Sequence, residues 1–225
     1  MNRTAAAACI AAVLSIAVCA GQGETRLAVA APERTSVLDN GTTAVSRFSF
    51  AAGTREETHT HPFPILIVQI TPGQLTVMDR EMVRVGGRAG EVWFIPANVP
   101  HAATNRSTGS IAILQVGIKP ERQPAPAAPP TTAPPGITRS TIVDNDDVRV
   151  VRVRFAPEGR EPLHTHPNDL LTIQVTGGRV EIVMGAERST AEREPGFVQF
   201  VGRGVSHAYA SADSKPFELL SVAFK

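Results

Sequence analysis

Apolar residues come along this chain in short, β-branched runs, among them Ile65 to Gln69, Ile111 to Ile118, Leu170 to Gln174 and Phe217 to Phe224, with Gly, Pro, Asn and Asp punctuating the chain between them. Runs of this length and punctuation predict a series of antiparallel strands. No convincing helical period follows the first twenty residues.

The runs repeat. Phe48 to Gly53, then His-Thr-His-Pro, then Ile65 to Gln69 aligns with Val153 to Gly159, the same tetrapeptide, and Leu170 to Gln174. Pro72 to Val77 lies over Gly177 to Ile182, Gly90 to Ile95 lies over Gly196 to Val201, and both copies end in an apolar strand. Residues 120–136 between them are proline-rich, unable to supply sheet hydrogen bonds, and read as a semi-rigid spacer. The expected fold is therefore all-β, with two tandem antiparallel β-barrels of jelly-roll type at 35–119 and 137–225, joined by that linker and preceded by an N-terminal segment at 21–34. A small barrel or jelly roll closes most of its strand edges.

Residues 1–20 stand apart. One arginine precedes the small, apolar stretch Ala5 to Ala20, which has the length and flanks of a bacterial signal peptide and falls short of a membrane span. A periplasmic or secreted protein is expected. Ile16 to Cys19 resembles a lipoprotein box, with Val18 where a smaller residue is usual, so a membrane enters only through lipidation at Cys19. Both cysteines, Cys9 and Cys19, lie in this segment, and the mature protein is expected to lack an internal disulfide.

Composition narrows the partners. With 42% hydrophobic residues, 18 Gly and 18 Pro in 225 residues, the chain reads as turn-rich and globular. Its net charge of +1 gives no electrostatic reason to expect nucleic acid or an anionic membrane. A small molecule is the expected ligand, and pairing as a homodimer is left open.

All six histidines fall into the repeat: His59, His61 and His101 in the first copy, His164, His166 and His207 in the second. Residues two apart on a strand point to one side, so each His-Thr-His aims two imidazoles at one point. The third imidazole arrives from another strand after a tight turn, at Pro96 to Pro100 or Gly202 to Val205. Three neutral imidazoles can hold a divalent first-row metal and leave positions open for water or substrate.

Gly53-x5-His59-x-His61 and Gly90-x5-Pro96-x-Asn98-x2-His101-x3-Asn105 resemble the two motifs of the cupin superfamily, G-x5-HxH-x3,4-E-x6-G and G-x5-PxG-x2-H-x3-N. Gly159-x4-His164-x-His166 and Gly196-x5-Gly202-x-Gly204-x2-His207-x3-Ser211 resemble them with small departures. The resemblance covers essentially the whole mature chain and implies a bicupin. Cupins host oxygenases, isomerases, decarboxylases, storage proteins and sugar-binding domains, so the resemblance speaks more strongly for fold than for function.

The chain departs from the motif at the carboxylate. Counted from His61 the family's glutamate falls at Leu66, with Gly73 after it; counted from His166 it falls at Leu171, with Gly178 after it. Loss of the anionic ligand resembles the three-histidine subset, which implies iron(II) first among the candidate ions, with zinc, manganese, nickel or copper as alternatives. A neutral ligand set favours an anionic or enolate-type substrate as the compensating ligand. Tyr209, two residues after His207, is expected to face the same cavity and is the candidate catalytic residue; Ala103 is its counterpart. Gln69 and Gln174 recur with the opposite strand parity to the two leucines and are expected to make interstrand hydrogen bonds. Trp93 and Phe63 are candidates to line or pack the first barrel. These features point to an exported, metal-dependent enzyme of dioxygenase or isomerase type. A non-catalytic module that binds or senses a metal or small ligand is the alternative.

Overall fold

The computed structural model describes residues 31–79, 82–123, 133–213 and 215–225. The expected signal segment at 1–20, most of the N-terminal segment and the middle of the proline-rich stretch lie outside them. Among the described residues every regular element is a strand. The first repeat forms β1 (Glu33–Asp39), β2 (Thr43–Phe50), β3 (Ile65–Gln69), β4 (Leu75–Asp79), β5 (Met82–Gly86), β6 (Val92–Ile95), β7 (His101–Asn105) and β8 (Ile111–Ile118). The second forms β9 (Ile137–Asp144), β10 (Val148–Phe155), β11 (Leu170–Gln174), β12 (Gly178–Met184), β13 (Glu187–Arg193), β14 (Val198–Val201), β15 (His207–Ser211) and β16 (Phe217–Phe224).

Each repeat folds into a five-stranded and a three-stranded antiparallel sheet. Their orders are β1-β2-β8-β3-β6 with β5-β4-β7, and β9-β10-β16-β11-β14 with β13-β12-β15. The registers also correspond: Ile65 lies opposite Gly117 as Leu170 lies opposite Ala223. This is the expected pair of jelly-roll barrels.

Among the described residues, three apolar clusters form the core. One fills the first barrel, with Phe48, Phe50, Ile65, Ile67 and Trp93. Another lies inside the second, with Val153, Phe155, Ile182, Tyr209 and Leu219. The largest belongs to both barrels and contains Leu66, Val68 and Leu114 from one with Leu171, Ile173 and Val222 from the other. Strands β3 and β11 are thus buried on both faces, which is why β3 reads as an apolar run up to Gln69 and β11 is broken only by Thr172 before Gln174.

Contacts across this shared core are nearly reciprocal. Arg152 donates to the carbonyl of Gly90 at 2.6 Å, while Arg47, its counterpart, reaches the carbonyl of Pro195 at 3.5 Å. The Thr42 hydroxyl also donates to the Asp169 carboxylate at 2.8 Å. Gly90 and Gly196 hold matching positions with φ of 78° and 84°, a left-handed conformation that side chains resist. A Cβ on Gly90 would lie 2.9 Å from Val175 Cγ1 in the other barrel. Gly90→Ala should therefore lower stability by about 2 kcal/mol through backbone strain and crowding, a fall in melting temperature of roughly 4–8 °C. Unchanged melting would show that the barrels do not pack this closely.

Candidate metal centre

The His-Thr-His segments lie against the edge of each three-stranded sheet, without forming regular strands. Backbone hydrogen bonds in both directions, at 3.0 Å each, join His59 to His101, and the same pairing joins His164 to His207 at 3.1 and 2.9 Å. A turn then fixes the middle histidine. Asn98 N–H donates to the His61 carbonyl at 2.7 Å, and Gly204 N–H donates to that of His166 at 2.8 Å. Asn98 takes φ of 59° and Gly204 φ of 70°, a conformation that glycine accepts freely and asparagine tolerates, so the turn survives the exchange of one for the other.

This scaffold brings all six histidines together as two groups of three. In each, one ligand atom from every residue lies within 4.8 Å of the others. The groups nearly superimpose: ring centroids are 4.8, 4.4 and 5.1 Å apart in the first and 4.8, 4.4 and 5.2 Å in the second.

Backbone carbonyls choose the tautomers. Nδ1 of His59 faces the Glu57 carbonyl at 2.8 Å, that of His101 the Val99 carbonyl at 2.9 Å, and that of His164 the Pro162 carbonyl at 2.9 Å. His207 Nδ1 faces Val205 O at 3.2 Å. A carbonyl only accepts, so each Nδ1 carries the proton and each Nε2 presents its lone pair. Burial, followed by repulsion from the neighbouring imidazoles, lowers His61 and His166 to about 4. Burial is also the leading cause of the lowered values of His101 and His207. These four imidazoles are neutral at physiological pH, as metal ligands must be.

The donors suit a divalent ion. His101 is 2% exposed, and its Nε2 is buried with no hydrogen-bond partner. Leaving such an atom bare costs about 1–3 kcal/mol, a cost that coordination removes. His59 and His61 approach Nε2 to Nε2 at 3.0 Å, close to the spacing of two nitrogens sharing one ion.

Tyr209 lies in the second barrel beside His207, with ring centroids 6.0 Å apart, and is 5% exposed. Its hydroxyl shares a hydrogen bond with Thr172 Oγ1 at 3.1 Å, and burial pushes the phenol up to about 12. Trp93 and Phe63 pack in the first barrel's apolar cluster.

Two expectations fail on strand parity. Leu66 and Leu171 point away from the histidines into the core shared by the barrels. The cavity-facing residues are their predecessors: Leu170 shares a cavity wall with the second triad, and Ile65 occupies the same register inside the first barrel. The absent carboxylate therefore maps to Ile65 and Leu170, the shorter of the motif's two spacings. Gln69 shares the parity of Ile65, and its amide donates to the loop carbonyls of Thr71 at 2.9 Å and Gly73 at 2.7 Å. Gln174 likewise donates to the Thr176 carbonyl. These bonds cap the loop after the strand and do not join strands.

A recurring acid and base near each triad escape the sequence motifs. Glu56 and Glu161 each stand three residues before the first histidine of their triad, and Arg34 and Arg139 each stand twenty-five before it. Glu56 Oε1 is 3.7 Å from His59 Nε2, and Arg139 pairs with the buried Glu161 at 2.7 Å. Burial raises the Glu56 carboxyl, with His59 and then Arg34 opposing. Their recurrence at fixed offsets was the available signal, hidden because neither fits a metal-ligand motif.

The Cupin domain family matches the chain twice, over residues 46–117 and 151–223. No curated protein sequence matches it. Among solved structures it is similar to AerE from Microcystis aeruginosa, with a TM-score of 0.67, 14% identity, and coverage of 86% of this chain and 98% of that one. It is also similar to the Lactobacillus farciminis oxalate decarboxylase formate complex, with a TM-score of 0.68, 14% identity and coverage of 87% and 81%. A third is salicylate 1,2-dioxygenase from Pseudaminobacter salicylatoxidans, at a TM-score of 0.67, 11% identity and coverage of 85% and 76%. Identities this low speak to the fold alone.

Proposed function

This chain belongs to the cupin domain family, as a bicupin with three histidines in each barrel, and from that premise we propose that it is an exported, metal-dependent enzyme with dioxygenase-like action on a small organic substrate. The observation that carries the reading is the convergence of three imidazole donors in each barrel, most of them set by a carbonyl at Nδ1 to offer Nε2. His59, His61 and His101 hold one divalent ion, and His164, His166 and His207 hold the second. Iron(II) leads because the all-histidine set resembles the three-histidine subset of cupins in which iron(II) dioxygenases occur; zinc, copper and nickel also suit imidazole, and manganese prefers carboxylate. Bound iron(II) supplies a redox-active Lewis acid with positions left open for other ligands.

The chain's own residues do the rest. Tyr209, held protonated by burial and tethered to Thr172, orients the substrate through its hydroxyl. Leu170, Val151 and Leu219 give the cavity apolar walls that limit access of water. Salicylate and oxalate, for which two of the structurally similar proteins are named, are small carboxylates, which supports the same substrate class here. Export rests on Ala5 to Ala20. One observation favours a non-catalytic binding module: Arg139 engages Glu161, a buried carboxylate that would otherwise be available as an acid or base.

Nitric oxide separates the two readings. The iron(II)-loaded protein should bind it, with the paramagnetic signal of an iron nitrosyl, and should consume oxygen when screened with small carboxylates and phenols. Iron present in stoichiometric amount with no nitrosyl signal would rule out the enzyme.

A further inference from the structure

Beneath their matching triads the two barrels are filled differently. The cross-strand pair Thr172 and Gln199 of the second barrel corresponds to Ile67 and Trp93 of the first, and the pair Val153 and Leu219 corresponds to Phe48 and Ile113. Tyr209 corresponds to Ala103. Ile67, Trp93, Phe48 and Ile113 form a single buried cluster.

Phe63 completes the filling. Its ring stacks beside that of His61 with centroids 6.4 Å apart, and it presses on Gly117, where a Cβ would come within 2.5 Å of Phe63 Cε2. The second barrel has Asn168 at the place of Phe63 and Ala223 at the place of Gly117. There a cavity of about 500 Å³ opens with His164, His166 and His207 in its wall. That volume lies in the range of sites for small organic ligands, roughly 300–1,000 Å³.

The lining also indicates charge. Arg139 and Arg149 both reach the cavity, and Ala44 stands where the first barrel would have the second of these arginines. Each arginine meets an acid, Glu161 or Asp144, so the four side chains cancel. An ion held by three neutral imidazoles keeps its whole charge and draws an anion as its next ligand.

We propose that the second barrel alone binds the organic substrate, a small organic anion seated between the metal ion and Tyr209, while the first barrel binds its ion without one. The assignment rests on the metal reading above and deepens it.

Cobalt(II) tests both parts, since its visible absorption reports each change in its ligands. The full-length His61→Ala protein keeps only the second centre, and His166→Ala keeps only the first. Azide, small enough for either, should alter the spectrum of both. Benzoate should alter His61→Ala and bind His166→Ala at least about tenfold more weakly, a difference of about 1.4 kcal/mol. Val153→Phe, which places the first barrel's residue in the second, should keep both cobalt ions and a normal melting temperature while losing benzoate binding by a similar factor. Equal benzoate responses in the two histidine variants, or a response confined to the first centre, would overturn the assignment with the metal reading intact. Failure of cobalt to bind either centre would overturn the metal reading and the assignment with it.

Discussion

Leu171→Glu is expected to cost the protein about 5 kcal/mol, and no metal ion will restore it. Leu171 is fully buried in the core that joins the barrels, packed among Leu66, Val150 and Val222. A carboxylate there is held away from water among apolar side chains. For a domain of this size the loss corresponds to a fall of roughly 10–20 °C in melting temperature. Leu170→Glu, one residue earlier, should behave differently. Leu170 is 2% exposed and shares the cavity wall with His164, His166 and His207, so a glutamate there can reach the ion they hold. The metal-free variant should be destabilised, should regain stability with manganese, and should gain more affinity for manganese than for zinc, because carboxylate suits manganese and imidazole already suits zinc. The measurement is melting temperature with and without manganese for both variants. Rescue of Leu171→Glu with none for Leu170→Glu would reverse the register of β11 against the metal centre.

The second large effect concerns occupancy. The intact chain should bind two divalent ions, His61→Ala and His166→Ala one each, and the double variant none. Substitutions behind metal ligands alone cost 10- to 100-fold in affinity, so deleting one of three ligands should exceed about 100-fold. The remaining pair of imidazoles then competes poorly with water. Melting should report the same change: the intact protein gains stability from two ions and each single variant from one. Metal analysis after dialysis against a weak chelator gives the stoichiometry, and two ions retained by both single variants would reject the triads as the binding sites.

Much of the fold and the metal centre was legible because the repeat supplied its own control. Six histidines in two nearly identical patterns, with no seventh, identify the triads without any contact being known. The strands around them followed from short β-branched runs between glycines and prolines, whereas the His-Thr-His segments, expected on a strand, meet the sheet only through isolated bridges. Tyr209 and His207 line one cavity because they stand two residues apart on the short strand β15, where the phase is set by His207. The phase of β3 and β11 was not readable in this way. All ten of their residues are buried, so no polar position marked an outer face, and the motif's two permitted spacings point to opposite sides.

The sequence by itself determined the main apolar strands, that the barrel occurs twice, and which imidazoles meet. All three follow from local pattern and from spacing within each repeat, where the period of two along extended chain links position to direction. Tertiary structure decided the rest. It sends Leu66 and Leu171 into a core between barrels, a surface that exists only once the two repeats pack. It sets Arg139 against Glu161 and fills one barrel with Phe48, Phe63 and Trp93 while leaving a cavity in the other. Such outcomes depend on side chains from strands far apart in the chain competing for one enclosed volume, and no single run of residues carries that information.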